Sequence, residues 1–368
     1  MTFKRTTSLA AVALASVLAL AACGSNSNGG SSSGSSAGAS GATCAKGTLN
    51  ASGSTAQANA MSQWIKDYQT QCSGATINYN PVGSGQGITD FTNGQTSFAG
   101  SDSPLNPAKG EVDAANKRCT NNSAVDLPMV PGPIAVVYNL SGVTSLTMNP
   151  SVLSQIFSGK ITKWNDPAIA AINSGVSLPN ATIVTVHRSD SSGTTDNFTK
   201  YLTAAGGSDW TYNHDKVWAA PGGQGAKGSD GVSAVVKSTP NTIAYVEQSF
   251  ATLNNLSIAK IDNGAGAVEL TPEAVSKAVA AATVVGTGDD LSLSLDYATK
   301  TPGAYPIVLV TYEITCLQGL SSDQAALVKG FLTYTSSDAG QGKLTALGYA
   351  PLPPEIQAKV QAAVAKIS

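Results

Sequence analysis

Charged residues and histidines are scarce in this chain of 368 residues. Lys, Arg, Asp and Glu together make up 12% of the sequence, the formal net charge is −2, and the histidines are His187 and His214 alone. The sequence has no basic patch that would bind nucleic acid, no zinc-ligand spacing and no motif for a cofactor. A nearly neutral protein exerts no general attraction on an anion. Any anion site must therefore rest on local charges and dipoles.

Nucleotide-binding motifs are missing as well. The glycine-rich residues 222–229 lack the Gly-Lys-Ser/Thr order of a P-loop. In residues 83–87 the third glycine comes one residue too early for a dinucleotide-binding turn. We therefore interpret residues 222–229 as a surface loop and expect its Lys227 at the mouth of a cleft.

Export-signal features occupy the N-terminal residues. Lys4 and Arg5 precede the apolar residues 9–20, and the run closes on Leu20-Ala21-Ala22-Cys23. This run is too short to span a membrane, and a cysteine directly after two small residues is typical of lipoprotein cleavage. Residues 1–22 are predicted to be a lipoprotein signal peptide, and lipid on Cys23 would anchor the protein to the outer face of the cell membrane. The alternative, a secretory signal without lipid, would leave Cys23 as an odd free thiol.

A linker is predicted between the lipidated cysteine and the globular part. Residues 24–42 consist of Gly, Ser, Asn and Ala, which cannot bury a core. Residues 23–44 are therefore predicted to form a flexible tether.

Four further cysteines suggest disulfide bonds. An even number of cysteines in an exported protein favours disulfides, and four cysteines allow three pairings. Cys44 and Cys72 directly precede the first two predicted strands, whose starts are adjacent if the strands are parallel neighbours. This favours Cys44–Cys72 and Cys119–Cys316, with buried free thiols as the alternative.

Predicted strands and helices alternate through the remaining chain, which is too long for one ordinary core. This pattern indicates an α/β fold with two lobes. Residues 128–138 and 301–311 both combine Pro and Gly with an apolar run, and each is predicted to cross between lobes. Lobe 1 would comprise residues 45–132 plus 301–368, and lobe 2 would comprise residues 133–300.

The segment from His187 to Thr195 has the features of an anion receptor. It follows the apolar residues 181–186, a predicted strand, and it leads into a predicted amphipathic helix. Ser192-Gly193-Thr194 then lies at a helix N-terminus, where free N–H groups and the helix dipole favour an anion. Arg188 would add charge and a fork of donors, and Asp190 could hold its guanidinium. The alternative is an ordinary Ser-capped helix with a surface ion pair.

Similar strand-to-helix junctions occur earlier in the chain. Residues 53–55 and 83–87 end short strands in Gly and Ser, whereas residues 100–104 end a strand with the carboxylate of Asp102. In open α/β sheets, ligands bind beyond the carboxyl ends of the strands. The junctions therefore predict one site with many donors and one acceptor.

These motifs resemble those of the PstS family, the phosphate receptors of bacterial ABC importers. The resemblance rests on residues 53–55, 83–87, 100–104 and 188–194 and extends to residues 156–167, 228–232 and 243–247. It implies a two-lobed periplasmic-binding-protein fold of type II, a monomer that binds inorganic phosphate in the cleft between lobes and delivers it to an ABC permease, and no enzymatic activity. The implied ligand set is Ser54, Thr55, Ala56 through its N–H, Ser84, Asp102, Arg188, Asp190, Ser192, Gly193 and Thr194. Some family members carry Phe at the position of Ala56, so a side-chain contribution to closure is absent here.

Asp102 would distinguish phosphate from sulfate. Near neutral pH phosphate keeps at least one P–OH, whereas sulfate has none. An ionised carboxylate only accepts hydrogen bonds, so it favours phosphate and repels sulfate. The alternative for Asp102 is an Asx-turn before Pro104.

Two other functions compete with a phosphate receptor. A phosphatase-like hydrolase could use the same anion pocket, with Ser192, His187 and Asp190 as a triad. These residues are crowded at one strand end, and no nucleophile elbow follows the strand. A receptor for another oxyanion, such as sulfate or molybdate, is the second alternative.

Overall fold

The computed structural model describes residues 44–368. The predicted signal peptide, the lipidation site at Cys23 and the tether up to residue 43 lie outside the described residues. Within residues 44–368, no helix is long and apolar enough to cross a membrane.

The described residues form an α/β structure, which confirms the predicted fold class. The strands are β1 (Gly47–Gly53), β2 (Ala75–Pro81), β3 (Phe98–Ser101), β4 (Ala124–Asn139), β5 (Thr147–Met148), β6 (Val184–Arg188), β7 (Gln224–Ala226), β8 (Thr242–Glu247), β9 (Ser257–Ile258), β10 (Lys260–Asp262), β11 (Ala267–Val268), β12 (Thr283–Val284), β13 (Leu293–Ser294) and β14 (Val308–Cys316).

The α-helices are α1 (Ala58–Gln71), α2 (Ser84–Thr92), α3 (Glu111–Arg118), α4 (Pro150–Phe157), α5 (Pro167–Ala171), α6 (Gly193–Ala205), α7 (Gly228–Ser238), α8 (Gln248–Leu253), α9 (Pro272–Ala280), α10 (Ser322–Ser336), α11 (Asp338–Gln341) and α12 (Pro354–Val364). Short 3₁₀ helices are formed by Pro107–Lys109, Gly207–Asp209 and Thr345–Leu347.

One large sheet carries the strands that end at the predicted site. Its order is β2-β1-β3-β14-β4-β8-β6-β7, and β9 also pairs with β4. β1 lies parallel to β2 and β3, and β6 lies parallel to β7 and β8. Two parallel groups thus form within the sheet, and within each group the carboxyl ends point the same way.

Two long antiparallel strands connect the parallel groups. β4 pairs with β14 through Ala124 to Pro133 and with β8 through Ile134 to Asn139. Residues 128–138, predicted to cross between lobes, lie within β4. Of residues 301–311, only 308–311 belong to β14, and residues 301–307 precede it. Residues of both strands are almost all buried, because the strands run through the middle of the sheet.

Two hydrophobic clusters form the core. One packs α1, α10 and α12 against the β1–β3 group, with Trp64, Phe98 and Phe331 among its fully buried side chains. The other packs α4, α6 and α7 around β6 and β8, with Phe157 and Phe198 in T-shaped contact at 5.0 Å. Each parallel group therefore has its own apolar support.

Two details differ from the sequence prediction. The strand before the anion-receptor segment begins at Val184 rather than Ala181 and continues through Arg188. Part of the predicted surface loop at residues 222–229 is a strand, because Gln224–Ala226 pairs with the open edge of β6. Arg188 thus has a regular strand backbone, and Lys227 is an exposed residue directly before α7.

The disulfide bonds are Cys44–Cys72 and Cys119–Cys316, with Cα separations of 5.2 and 5.4 Å. This is the pairing that the sequence favours. Cys44–Cys72 joins the segments before β1 and β2. Cys119–Cys316 joins the end of α3 to the last residue of β14, and both of its cysteines are fully buried.

Removal of Cys119–Cys316 should cost more stability than removal of Cys44–Cys72. The first bond spans 197 residues of sequence and the second spans 28, so the first restricts the unfolded chain more. We expect Cys119→Ala with Cys316→Ala to lower the free energy of unfolding by about 2–5 kcal/mol. Urea unfolding of both double variants checks this, and an equal or larger loss for Cys44→Ala with Cys72→Ala would contradict it.

Candidate functional site

The carboxyl ends of the two parallel groups meet. The N–H of Gly85, in α2, donates to the carbonyl of Ser191 at 3.0 Å. The N–H of Gly193, at the start of α6, donates to the hydroxyl of Ser84 at 3.2 Å. The hydroxyls of Thr55 and Ser229 lie 2.7 Å apart. Segments that follow β1, β2, β6 and β7 are thereby joined in one polar, buried region.

Asp102 lies at the centre of this region and is 3% exposed. Its Oδ1 accepts hydrogen bonds from the hydroxyls of Ser54 at 2.5 Å and Thr311 at 2.7 Å. Its Oδ2 accepts one from the hydroxyl of Ser84 at 3.1 Å. Burial raises the pKa of Asp102 to about 6, and the charge of Glu247 adds to this, while the three hydroxyls oppose it. Asp102 is thus predominantly ionised at neutral pH, although it is buried.

The N-terminus of α6 lies directly against Asp102. A Cβ atom added at Gly193 would lie 2.5 Å from the Cβ of Asp102, 2.6 Å from the hydroxyl of Ser84 and 2.7 Å from Oδ2 of Asp102. Glycine is therefore needed there for close approach. A carboxylate oxygen can accept about two hydrogen bonds, so the one bond from Ser84 leaves Oδ2 able to accept another.

Arg188 is held in a fixed orientation. Its Nε donates to Oδ1 of Asp190 at 2.7 Å, and its Nη2 donates to Oδ2 at 2.5 Å. The N–H of Gly228 also donates to Oδ1 of Asp190. The Nη1 of Arg188 is directed to the hydroxyls of Thr194 and Ser229, at 3.4 Å each. One edge of the guanidinium is thus occupied by Asp190, and Nη1 faces the region between α6 and α7.

The charges of this pair are mutually stabilised. Burial acts to lower the pKa of Arg188, but the hydrogen bond and the charge of Asp190 outweigh it and raise that pKa overall. Burial likewise acts to raise the pKa of Asp190, and Arg188 more than reverses this. Both groups therefore stay charged, although the Arg188 side chain is only 2% exposed.

The residues predicted from the sequence come together in this one region. Ser192 caps α6 by accepting from the N–H of Thr195, and the hydroxyl of Thr194 donates to Glu247 at 2.5 Å. The N–H of Ala56 donates to the hydroxyl of Ser54 at 2.9 Å. The buried members of the set are Ser54, Thr55, Ala56, Ser84, Asp102, Arg188, Ser192, Gly193 and Thr194, and Asp190 is partly buried.

The ligand set named from the sequence omits three members of the region, although residues 228–232 and 243–247, which contain two of them, are part of the family resemblance. Ser229 is the second residue of α7, which follows the short strand β7, so its Gly-Ser junction carries the same signal as the others. Glu247 ends β8 next to Arg188 on β6, and it is fully buried. Thr311 lies inside β14, where nothing in the sequence distinguishes it from a core residue.

The proposed hydrolase triad is not formed among the described residues. The Nδ1 of His187 contacts the carbonyl of Arg188 at 2.9 Å, and its ring stacks on Trp218 at 5.0 Å. The hydroxyl of Ser192 is bound to the N–H of Thr195 instead. His187 is therefore a packing residue on β6, next to the edge strand β7.

Comparisons with known proteins agree on one family. The sequence model of the PBP superfamily domain matches residues 38–339. The chain is 45% identical to the phosphate-binding protein PstS 3 of Mycobacterium tuberculosis, over 97% of each chain. It is 33% identical to the phosphate-binding protein PstS of Xylella fastidiosa, over 82% of this chain and 80% of the relative.

Solved structures share the architecture. The periplasmic phosphate-binding protein PfluDING, solved with bound phosphate, superposes with a TM-score of 0.71 at 26% identity, over 86% of this chain and 93% of the other. A substrate-binding protein from Clostridium perfringens superposes with a TM-score of 0.61 at 20% identity, over 83% of this chain and 100% of the other. The second likeness, at its low identity, concerns the fold alone.

Proposed function

The chain belongs to the PstS family of phosphate-binding proteins, and we propose that it is the extracytoplasmic receptor that binds inorganic phosphate and delivers it to an ABC importer. The observation that carries the proposal is the position of Asp102. This carboxylate is buried, its Oδ2 can accept a further hydrogen bond, and it faces the N-terminus of α6 across the meeting point of the two strand groups.

Hydrogen-bond donors of the proposed ligand set surround the meeting point of the two strand groups. The hydroxyls of Thr55 and Ser84 come from the first strand group. Nη1 of Arg188 and the first N–H groups of α6 come from the second. The helix dipole adds favourable potential without adding a mobile charge. A tetrahedral anion bound there would contact both groups at once.

The carboxylate of Asp102 also favours phosphate over sulfate. Phosphate can donate its P–OH to Oδ2 of Asp102, whereas sulfate would place a bare oxygen against an ionised carboxylate. In a buried site, water cannot relieve that repulsion. Selectivity therefore depends on one hydrogen bond that only a protonated oxyanion makes.

Two lobes that close on the ligand fit this distribution of residues. Lobe 1 would comprise residues 45–132 plus 301–368, and lobe 2 residues 133–300, with β4 and β14 as the crossing segments. The ion pairs Lys109–Asp215, at 2.7 Å, and Glu111–Lys216, at 3.1 Å, would then link the lobes outside the site. Phosphate would shift the equilibrium through its additional contacts in the closed state.

The membrane attachment in this proposal comes from the N-terminal sequence. Lipid on Cys23 would hold a monomeric receptor near the permease at the outer face of the membrane, and the tether up to residue 44 would let it move. Mass spectrometry of the native protein tests for the acyl groups.

Titration of the ligand-stripped protein without its lipid tests the function directly. We expect phosphate to bind with a stoichiometry of about one in calorimetry, because the proposed donors converge on one point. Sulfate and molybdate should give no comparable heat. Assays with phosphoester and ester substrates should show no turnover. Phosphoester hydrolysis, or sulfate binding as tight as phosphate binding, would contradict the proposal.

Asp102→Asn should weaken the discrimination against sulfate. The amide removes the negative charge and offers a donor to a bare sulfate oxygen. The ratio of phosphate to sulfate affinity should fall by roughly tenfold or more, since about 1.4 kcal/mol is a factor of ten. Competition calorimetry measures the ratio, with Asp113→Asn, on α3, as a control of equal charge change. An unchanged ratio would remove Asp102 from this role.

A further inference from the structure

The amide of Asn197 joins the end of β3 to the first turn of α6. Asn197 lies in α6 and is 2% exposed. Its Nδ2 donates to the carbonyl of Asp102 at 2.6 Å and to the carbonyl of Gly193 at 2.8 Å. Asp102 directly follows β3, and Gly193 is the first residue of α6. A side chain outside the proposed ligand set thus connects the acceptor of the site to the helix that lies against it.

The partners of this amide fix its orientation. A backbone carbonyl only accepts hydrogen bonds, so the nitrogen of the Asn197 side chain, and not its oxygen, is directed to Asp102 and Gly193. The oxygen, Oδ1, accepts a hydrogen bond from the hydroxyl of Tyr297. Burial raises the pKa of Tyr297 well above its ordinary value, so this hydroxyl keeps its hydrogen. Tyr297 therefore holds the amide in the orientation in which both of its N–H groups donate.

A second contact joins the adjacent residue of each element. The hydroxyl of Ser103 donates to Oδ2 of Asp196 at 2.5 Å. Nζ of Lys200 and Nδ1 of His214 each lie 2.7 Å from an oxygen of Asp196. Burial acts to raise the pKa of Asp196, but these three partners outweigh it and lower that pKa overall. Asp196 thus stays ionised, and two successive residues after β3 are bound to two successive residues of α6.

Asn197 binds Asp102 from the side of the second strand group. The N–H of Asp102 donates to the hydroxyl of Ser84, which also donates to its carboxylate. The other donors to the carboxylate are the hydroxyls of Ser54, which follows β1, and Thr311, which lies on β14. Asn197 instead belongs to the helix that follows β6. Its bond to the carbonyl therefore acts directly on the position of Asp102 relative to α6.

Loss of this amide would leave Asp102 less often against α6. Asp102 is buried, and a buried carbonyl that loses its partner costs free energy. Molecules in which Asp102 moves away from α6 would recover part of that cost through water. A ligand that needs both groups binds only the remaining molecules, so its apparent affinity falls by the fraction that is lost.

We propose that Asn197 is a positioning residue of the phosphate site: its amide holds Asp102 against the N-terminus of α6, in the orientation that the hydroxyl of Tyr297 fixes. The inference rests on the proposed function and adds two residues that act through Asp102 rather than on phosphate itself. Phosphate affinity therefore depends on a hydrogen bond that is made without phosphate.

Phosphate titration of Asn197→Ala tests the proposal. Alanine has no donor for the two carbonyls, so we expect phosphate affinity to fall by about tenfold, the size of effect that loss of one buried hydrogen bond produces. Calorimetry well below the unfolding temperature of both proteins measures this, so that loss of folded protein does not contribute.

Asn173→Ala provides a matched control. Asn173 is 6% exposed, and its Nδ2 donates to the carbonyl of Ile169, four residues earlier, and to the carbonyl of Thr147, at 2.9 Å each. Asn197 bonds in the same way to a carbonyl four residues earlier and to one on another element. The partners of Asn173 lie outside the proposed ligand set. Asn173→Ala should lower the unfolding temperature and keep the phosphate affinity of the wild type.

A double-mutant cycle with Tyr297→Phe separates positioning from general stabilisation. Tyr297 is partly exposed, so removal of its hydroxyl should leave the fold intact. Tyr297→Phe alone should lower phosphate affinity by about threefold, because the amide of Asn197 loses the bond that orients it. In the Asn197→Ala background the same change should have no further effect on affinity, since the hydroxyl acts through the amide.

Wild-type phosphate affinity in Asn197→Ala, or an equal effect of Tyr297→Phe with and without Asn197, would overturn the inference. Absence of phosphate binding by the wild type would instead overturn the proposed function. If Asn197→Ala does not fold, Tyr297→Phe decides: an affinity about threefold below that of the wild type and of Asn173→Ala supports the inference, and wild-type affinity contradicts it.

Discussion

The contact between the carboxylate of Asp102 and the N-terminus of α6 is the constraint on which the rest of the structure depends. It brings an acceptor from one parallel strand group against donors from the other. Such a contact forms only if β4 and β14 hold the two groups face to face and if Gly193 leaves space. The three hydroxyls from Ser54, Ser84 and Thr311 then keep a buried charge in place without a cation.

The site handles charge locally rather than through net charge. The positive charge of Arg188 is largely balanced by the negative charge of Asp190. The Nη1 group of Arg188 therefore acts mainly as a directed hydrogen-bond donor. The N–H groups at helix N-termini are further donors at fixed positions, so they need no reorganisation when an anion binds. Asp102 and Glu247 both lie in this buried region, and hydroxyl groups donate to each of them: those of Ser54, Ser84 and Thr311 to Asp102, and that of Thr194 to Glu247. This use of local charges and hydrogen-bond donors fits a protein whose formal net charge is −2.

Much of the site could be predicted because its residues follow strands. Gly-Ser junctions before helices are visible in sequence, and parallel neighbours place such junctions at one edge. The α/β class follows from the same alternation. Thr311 could not be found this way, because it lies inside a buried strand and only the folded sheet brings its hydroxyl to Asp102. Strand β7 was missed because it is three residues long and depends on pairing with β6.

The phosphate affinity of Gly193→Ala, compared with Gly231→Ala, tests the central contact most directly. Both glycines are in helices without a left-handed backbone, but a Cβ at Gly231 would have its nearest neighbour at 3.7 Å, an ordinary contact. The account predicts that Gly193→Ala folds and loses phosphate affinity by about 100-fold or more, because the methyl group separates α6 from Asp102. Gly231→Ala should bind like the wild type. Wild-type affinity in Gly193→Ala would contradict the account.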